Sequence, residues 1–285
     1  MANKILIPVD FSDYSNKAIE YACQLSKLTH HDIDLVHIFT DHTNIYRNAM
    51  DNVELIDPRV GTAKRDMEKL ISNIIDKLPE VNINSIFKDG NLYDEIRKLV
   101  STEQYDAIVM GTKGSSGLDA LLIGSNMFDV FQNTKIPVLA VPFTTARLKT
   151  EKIGLLCNFK DGELDVLKQA IKVFGKNFEL FLIHINTQDQ TIKTLDARFK
   201  SFIERIIVET GLENISYIIK AQNFLAHYKS DISSAINTVI ADELLDVILV
   251  TKSKKGFLRK IMEENIVKKM AYQVQIPKFF GRSPQ

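Results

Sequence analysis

The sequence contains no tryptophan, only two cysteines, and no excess of charge of either sign. Thirty-six basic and 36 acidic residues cancel, which argues against binding of nucleic acid or an anionic membrane through overall charge. No apolar run approaches the roughly 18 to 20 residues of a transmembrane helix, and the first ten residues do not resemble a signal peptide. We therefore expect a cytoplasmic protein with no nucleic-acid or membrane partner.

The two cysteines, Cys23 and Cys157, are too few for a disulfide framework and lack the spacing of metal ligands. They predict two free, buried thiols in a reducing compartment. The composition is otherwise that of a globular protein, and 285 residues with 45% hydrophobic side chains suffice for a substantial core.

The chain consists of two diverged copies of one unit. Three pairs of segments align in order: KILIPVDFS with KIGLLCNFK (4–12 and 152–160), IDLVHIF with LFLIHIN (33–39 and 180–186), and DAIVM with DVILV (106–110 and 246–250). A polar stretch, 144–151, follows Pro142. We therefore predict two domains, 1–146 and 147–285.

Strand and helix patterns alternate along the first copy. Short apolar runs predict strands over 4–9, 33–39, 83–88, 107–110 and 138–141. Helices are predicted after Ser12 or Asp13, over the apolar stripe Ala63, Met67, Leu70, Ile71, Ile74 and Leu78, over 92–100, and from Ser125. This alternation indicates a doubly wound parallel sheet, whose ligands bind in the loops at the carboxyl ends of the strands.

The loop after the fourth strand, MGTKGSSGLDALLIGSN (110–126), holds four of the twelve glycines of the chain. Glycine lets a backbone approach a ligand closely, and a helix that begins at Ser125 would offer its N-terminal amide groups to a phosphate. The alternative is that these glycines only shape turns and Ser125 only caps a helix.

The spacing Gly111-x2-Gly114-x9-Gly124-Ser125 is similar to the nucleotide-binding signature of the ATP-binding branch of the universal stress protein family. The chain resembles a tandem member of that family, because KILIPVDFS, DLVHIF, KDGNLYDEI, DAIVMGTKG and IPVLAVP also occur in the family's order. The resemblance implies an α/β fold of two tandem Rossmann-like domains, related to the adenine nucleotide alpha hydrolases. It implies the strand order 3-2-1-4-5, with ATP across the carboxyl edge of the sheet.

The resemblance also assigns roles to individual residues of the first copy. Asp10 corresponds to the aspartate near the adenine and ribose, although it could instead simply end the strand. The other positions are Pro8 and Ile38 around the base, and Met110, Gly111, Gly114, Gly124 and Ser125 on the phosphate and ribose side. The chain departs from many relatives in having Ser115 and Ser116 where they carry basic residues, which leaves Lys113 as the cation of this loop. The triphosphate charge would then need Mg²⁺ or the backbone, and the preference among adenine nucleotides stays open.

The second copy has lost these positions. The signature residues become Thr251, Lys254, Glu264 and Asn265, and Asp10 becomes Asn158. A carboxylate at 264 would repel phosphate, so we expect a degenerate second domain. An insertion at 224–231 and the tail KFFGRSPQ predict altered edges of this copy, and the basic residues 252–260 are interpreted as a solvated face.

Two groups of histidines are interpreted structurally. His37 and His184 occupy matched strand positions and are predicted to be packing residues rather than catalysts. The group His30, His31, Asp32 and Asp34 is interpreted as a solvated turn, since it lacks metal-ligand spacing.

The resulting hypothesis is an ATP-binding regulatory protein of the stress response, with one nucleotide in the first domain and an internal pseudodimer of the two domains. A homodimer and an unidentified protein partner are open. The alternatives are slow Mg²⁺-dependent ATP hydrolysis by metal-bound water and an interaction module that acts without nucleotide. No residue near the predicted site is an evident general base.

Overall fold

The computed structural model describes residues 3–39, 58–112, 130–131, 134–145, 147–221, 232–252 and 276–283. The first copy contains strands β1 (Lys4–Pro8), β2 (Asp32–Phe39), β3 (Ile83–Asp89), β4 (Ala107–Thr112) and β5 (Val138–Pro142), with helices α1 (Asp13–Thr29), α2 (Pro58–Ile75) and α3 (Leu92–Thr102). The strands are parallel in the order β3-β2-β1-β4-β5, which confirms the predicted fold. The helix predicted from Ser125 lies outside the described residues.

The second copy repeats this arrangement. Its elements are β6 (Lys152–Leu156), β7 (Glu179–Asn186), β8 (Ile215–Ala221), β9 (Val247–Lys252) and β10 (Lys278–Arg282), with α4 (Asp161–Phe174), α5 (Ile192–Thr210) and α6 (Ile232–Asp242). Its strand order is β8-β7-β6-β9-β10. The register of β1 on β4, Ile5 beside Ala107, recurs in β6 on β9 as Ile153 beside Val247. Two tandem domains of one fold therefore make up the chain.

The two copies meet edge to edge in the middle of one ten-stranded sheet. Strand β10 pairs in parallel with β9 and antiparallel with β5, and Phe131 packs on Phe280 with ring centroids 4.6 Å apart. The altered edge predicted from the tail KFFGRSPQ is therefore wrong. Phe279 and Phe280 belong to the apolar layers on opposite faces of the sheet, so this segment is a central strand despite its charged ends.

Helices cover both faces of the sheet. Helices α1, α2, α4 and α5 contribute to one apolar layer, and α3 and α6 contribute to the other. Ser12 caps α1 by accepting a hydrogen bond from the backbone N–H of Ser15, as the sequence predicts. In the described part of the chain, no helix combines the length and apolar character needed to cross a bilayer.

Both cysteines are free and buried, as predicted. Burial raises the pKa of the Cys23 thiol to about 12 and that of Cys157 well above its ordinary value. Because the thiolate is the reactive form, neither residue is a nucleophile at neutral pH.

The interpretation of residues 30–34 as a solvated turn is wrong for two of its members. His31 and Asp34 are 1% and 2% exposed. The Asp34 carboxylate accepts hydrogen bonds from the Tyr105 hydroxyl (2.8 Å) and Asn84 Nδ2 (3.0 Å), and Lys4 Nζ lies 3.3 Å away. These partners come from β3, β1 and the loop before β4, so the buried network could not be read from local sequence.

Candidate functional site

An apolar surface lies at the carboxyl edge of the first copy, on the three adjacent strands β2, β1 and β4. Ile38 and Met110, each 8% exposed, belong to the same apolar layer. Pro8 ends β1 beside Val36 of that layer, and lies on the same face because side chains alternate along a strand. The structure thus brings Pro8, Ile38 and Met110 to one face at the ends of neighbouring strands.

Asp10 follows this surface in the turn between β1 and α1. Phe11 has a left-handed backbone (φ 60°), which turns the chain sharply after the strand. The Asp10 carboxylate accepts hydrogen bonds from the Ser12 backbone N–H (3.0 Å) and hydroxyl (2.6 Å) and remains exposed. Partial desolvation opposes ionisation, but these hydrogen bonds outweigh it and lower the pKa of Asp10. The site therefore holds an oriented, ionised acceptor at neutral pH.

His37 supports the same turn from β2. Its Nδ1 lies 2.7 Å from the Val9 carbonyl oxygen, which can only accept, so Nδ1 carries the proton. Its ring packs 4.9 Å from that of Phe11. His184 makes the matching contact in the second copy, 2.8 Å from the Cys157 carbonyl oxygen. The structural role predicted for both histidines is confirmed.

Gly111, the first glycine of the signature, has a packing reason that needs no ligand. It lies near the end of β4 against the first turn of α1, where an added Cβ would lie 2.6 Å from the carbonyl carbon of Tyr14. The contact is with backbone, which cannot rotate away, so glycine is required for this approach of helix to strand. The remaining signature residues, Gly114, Gly124 and Ser125, lie outside the described residues.

In the second copy, the glycine lies on the helix and the larger residue on the strand, which is the reverse of the first copy. The counterpart of Gly111 is Thr251, and the counterpart of Tyr14 is Gly162. A Cβ at Gly162 would lie 3.5 Å from the Thr251 methyl group and 3.2 Å from the Ser283 Cβ. Each copy therefore has one glycine where the helix meets the end of the strand. The glycine lies on the strand in the first copy and on the helix in the second.

In the second copy, a buried carboxylate from helix α4 fills the turn between β6 and α4. Glu163, which is 4% exposed, accepts hydrogen bonds from the backbone N–H groups of Asn158 (2.8 and 2.9 Å) and Lys160 (3.1 Å). Burial raises the pKa of Glu163 against the opposing effect of these bonds. The residue at the matching position of the first copy is Ser15, whose hydroxyl donates instead to the Ser12 carbonyl oxygen (3.0 Å).

The sequence predicts that Glu264, which lies outside the described residues, disables the second site. Glu163 was not predicted to contribute. The sequence signal was present: an acidic residue three positions after Lys160, at the start of a helix, commonly binds the amides of the preceding turn.

The first copy matches proteins of known family in sequence. The sequence profile of the universal stress protein family matches residues 1–142. A universal stress protein of Methanothermobacter thermautotrophicus is 30% identical over 132 residues, which are 44% of this chain and 85% of that protein. The chain belongs to the universal stress protein family.

Two further comparisons concern sequence and fold. Universal stress protein YxiE of Bacillus subtilis is 28% identical over 148 residues, which are 50% of this chain and 99% of that protein. A universal stress protein of Archaeoglobus fulgidus, solved by crystallography, covers 99% of this chain and 97% of its own with a TM-score of 0.69. At 19% identity this likeness shows the fold, and it extends the tandem arrangement over both copies.

Proposed function

We propose that this universal stress protein binds one adenine nucleotide per chain, in the first domain, and that occupancy regulates its role in the stress response. The observation that carries the proposal is Asp10, an ionised and exposed acceptor held by Ser12 beside the apolar surface of Pro8, Ile38 and Met110. A carboxylate there can accept hydrogen bonds from ribose hydroxyls or the adenine amino group, while the apolar surface packs on the base.

The second domain is proposed to be a degenerate partner. Its turn amides bind the buried Glu163, and Asn158 replaces Asp10, so this turn lacks the exposed carboxylate of the first domain. In the first domain, the Asp10 carboxylate and the apolar residues suit the ribose and base of ATP, and the signature loop would add backbone donors for its phosphates, with Mg²⁺ balancing their charge. A cytoplasmic location belongs to the proposal, since two buried free thiols suit a reducing compartment.

Native mass spectrometry of the protein, as purified and after addition of Mg-ATP, tests the proposal because one spectrum counts both chains and nucleotides. We expect one adenine nucleotide per chain. The same spectrum shows whether the chain forms a homodimer. Absence of any adduct at millimolar nucleotide would favour the interaction module, and two nucleotides per chain would contradict the degenerate second domain.

Asp10→Asn should weaken nucleotide binding by about tenfold, because it removes the charge from an acceptor while keeping the shape of the turn. Calorimetric titration with ATP measures the change. The matched control is Asn158→Asp, which places the carboxylate at the same position of the second copy. This variant should not create a second site, because Glu163 still occupies the turn amides. Equal affinities of Asp10→Asn and the wild type would remove Asp10 from the site.

A further inference from the structure

A second candidate site lies in the second domain, in a groove between helix α5 and the turn that follows β6. We call it the basic groove and define it by six of its lining residues: Phe159, Lys193, Arg198, Ser201, Phe202 and Arg205. Its volume is about 650 Å³, within the range of about 300 to 1,000 Å³ typical of small-molecule sites. The groove is separate from the proposed nucleotide site, which lies in the first domain.

The groove is built on one face of α5. Lys193, Ser201 and Arg205 are spaced by multiples of four residues, and Arg198 and Phe202 form the neighbouring row, so the groove runs along two adjacent rows of α5. The axial rise of about 1.5 Å per residue places Lys193 and Arg198 about 7.5 Å apart along the helix. Buried Phe202 and half-buried Phe159 contribute an apolar floor below exposed cations.

Arg198 is held in place before any ligand arrives. Its guanidinium group lies 4.3 Å from the centroid of the Phe159 ring, and Nη1 donates a hydrogen bond to Gln190 Oε1 at 2.9 Å. Both partners are neutral, so the charge of Arg198 is oriented without being cancelled by them. A pre-oriented guanidinium group loses little conformational entropy when it binds an anion.

The remaining groups of the groove favour the same sign of ligand. Lys193 lies in the first turn of α5, a turn that holds no acidic residue, and the positive end of the helix dipole adds to its charge. The Ser201 hydroxyl can donate a hydrogen bond. Arg205 already pairs with Asp161 (2.8 Å) on α4, so it closes one end of the groove and is not the main anion ligand.

We propose that the basic groove binds a small molecule that carries a phosphate group on an apolar body. The phosphate would lie between Lys193 and Arg198, the two cations of the lining nearest the start of the helix, and the apolar body would contact Phe202 and the edge of Phe159. A neutral apolar molecule would leave the two cations without a partner, and a bare phosphate would leave the apolar floor uncovered.

Calorimetric titration of the full chain with 1-naphthyl phosphate tests this proposal, with 1-naphthol and inorganic phosphate as reference compounds. We expect saturable binding of 1-naphthyl phosphate that is tighter than the binding of either reference compound. Arg198→Gln should weaken it by about tenfold, as expected for loss of a charge-assisted hydrogen bond. In NMR spectra of the wild type, the backbone amide signals of Lys193 and Thr194 should shift on binding.

Lys200→Gln is the matched control, because Lys200 is exposed on the same helix and outside the groove lining. It removes the same net charge and should change affinity by less than about twofold. Equal losses in Arg198→Gln and Lys200→Gln would mean diffuse charge attraction and would overturn the proposal. Binding of 1-naphthol as tight as that of 1-naphthyl phosphate, or no saturable binding at millimolar concentration, would overturn it as well. Thermal unfolding shows whether both variants are folded.

Discussion

Gly111→Ala is expected to destabilise the protein by about 3 kcal/mol, at the upper end of the usual cost of overpacking. The new Cβ would meet the backbone of Tyr14 in the first turn of α1, at 2.6 Å from its carbonyl carbon. Relief of the clash requires α1 to move away from β4, and α1 also packs on the sheet through buried Ala18 and Ala22. Equilibrium urea unfolding measures the loss in free energy of unfolding.

Gly162→Ala is the control for this prediction, since it makes the same change where helix and strand end meet in the second copy. Its Cβ would contact side-chain carbons of Ser283 and Thr251 at 3.2 and 3.5 Å, which small shifts can accommodate. Alanine also has a helix propensity about 1 kcal/mol better than glycine. We therefore expect a free energy of unfolding within about 1 kcal/mol of the wild type. Equal effects of the two substitutions would show that the approach of α1 to β4 does not require glycine.

This prediction bears on how the signature is interpreted. If nucleotide binding is lost in a Gly111 variant, the loss could arise from displacement of α1 and the Asp10 turn before it. Affinity in such a variant is informative only beside its stability. Asp10→Asn does not have this difficulty, because the asparagine Oδ1 can still accept the hydrogen bonds from Ser12 that hold the turn.

Lys278→Met is expected to raise the free energy of unfolding by at least about 2 kcal/mol at neutral pH, since burial of an unpaired polar group costs about 1 to 3 kcal/mol and of a charge more. Lys278 is 3% exposed on the central strand β10, and its Nζ has no hydrogen-bond partner among the described residues. Its counterpart in the first copy is the apolar residue Val138. Methionine fills a similar volume without an amine.

The pH dependence identifies the cause of this stabilisation. Burial lowers the pKa of Lys278 well below its ordinary value, so between that lowered pKa and about 10.4 the unfolded chain binds a proton that the folded chain does not. The stability of the wild type therefore rises with pH relative to Lys278→Met, by about 1.4 kcal/mol per pH unit. Urea unfolding of both proteins between about pH 7 and about pH 9 measures the narrowing difference.

Lys172→Met is the control, because Lys172 is exposed on α4 and its ammonium group stays in water on folding. Its difference from the wild type should not change over the same pH interval. If the difference for Lys278→Met also stays constant with pH, Lys278 is charged in the folded protein and the burial argument is wrong.

Much of the first copy follows from local sequence patterns. The predicted strands over 83–88 and 138–141 match β3 and β5 within a residue. All five residues of β5 are buried, as expected of a short apolar run in a parallel sheet covered on both faces, whereas β3 lies at the edge of the sheet. The apolar stripe from Ala63 to Ile74 lies within α2, and Leu78, just past its end, still packs on the core. These assignments depend only on residues that are close in sequence, so the hydrophobic pattern is enough to predict them.

The candidate site was predictable to the extent that fold and motif place it. Pro8, Asp10, Ile38, Met110 and Gly111 come together because the carboxyl ends of parallel strands share one edge. The hydrogen bonds from Ser12 to Asp10 and the packing of Gly111 on Tyr14 were not predicted, since they depend on the left-handed turn at Phe11 and on the distance between α1 and β4.

By itself, the sequence determined the repeat, the alternation of strands and helices, and the resemblance to the family, which in turn implied the strand order. Each depends on residue periodicity or on motifs that are continuous in the chain. Only the tertiary structure decided that KFFGR is a central strand, that Lys278 and Asp34 are buried, that Glu163 fills the second turn, and that α5 presents a basic groove. Each of these depends on partners brought together from distant parts of the chain, and the same side chain is exposed or buried according to what packs on it.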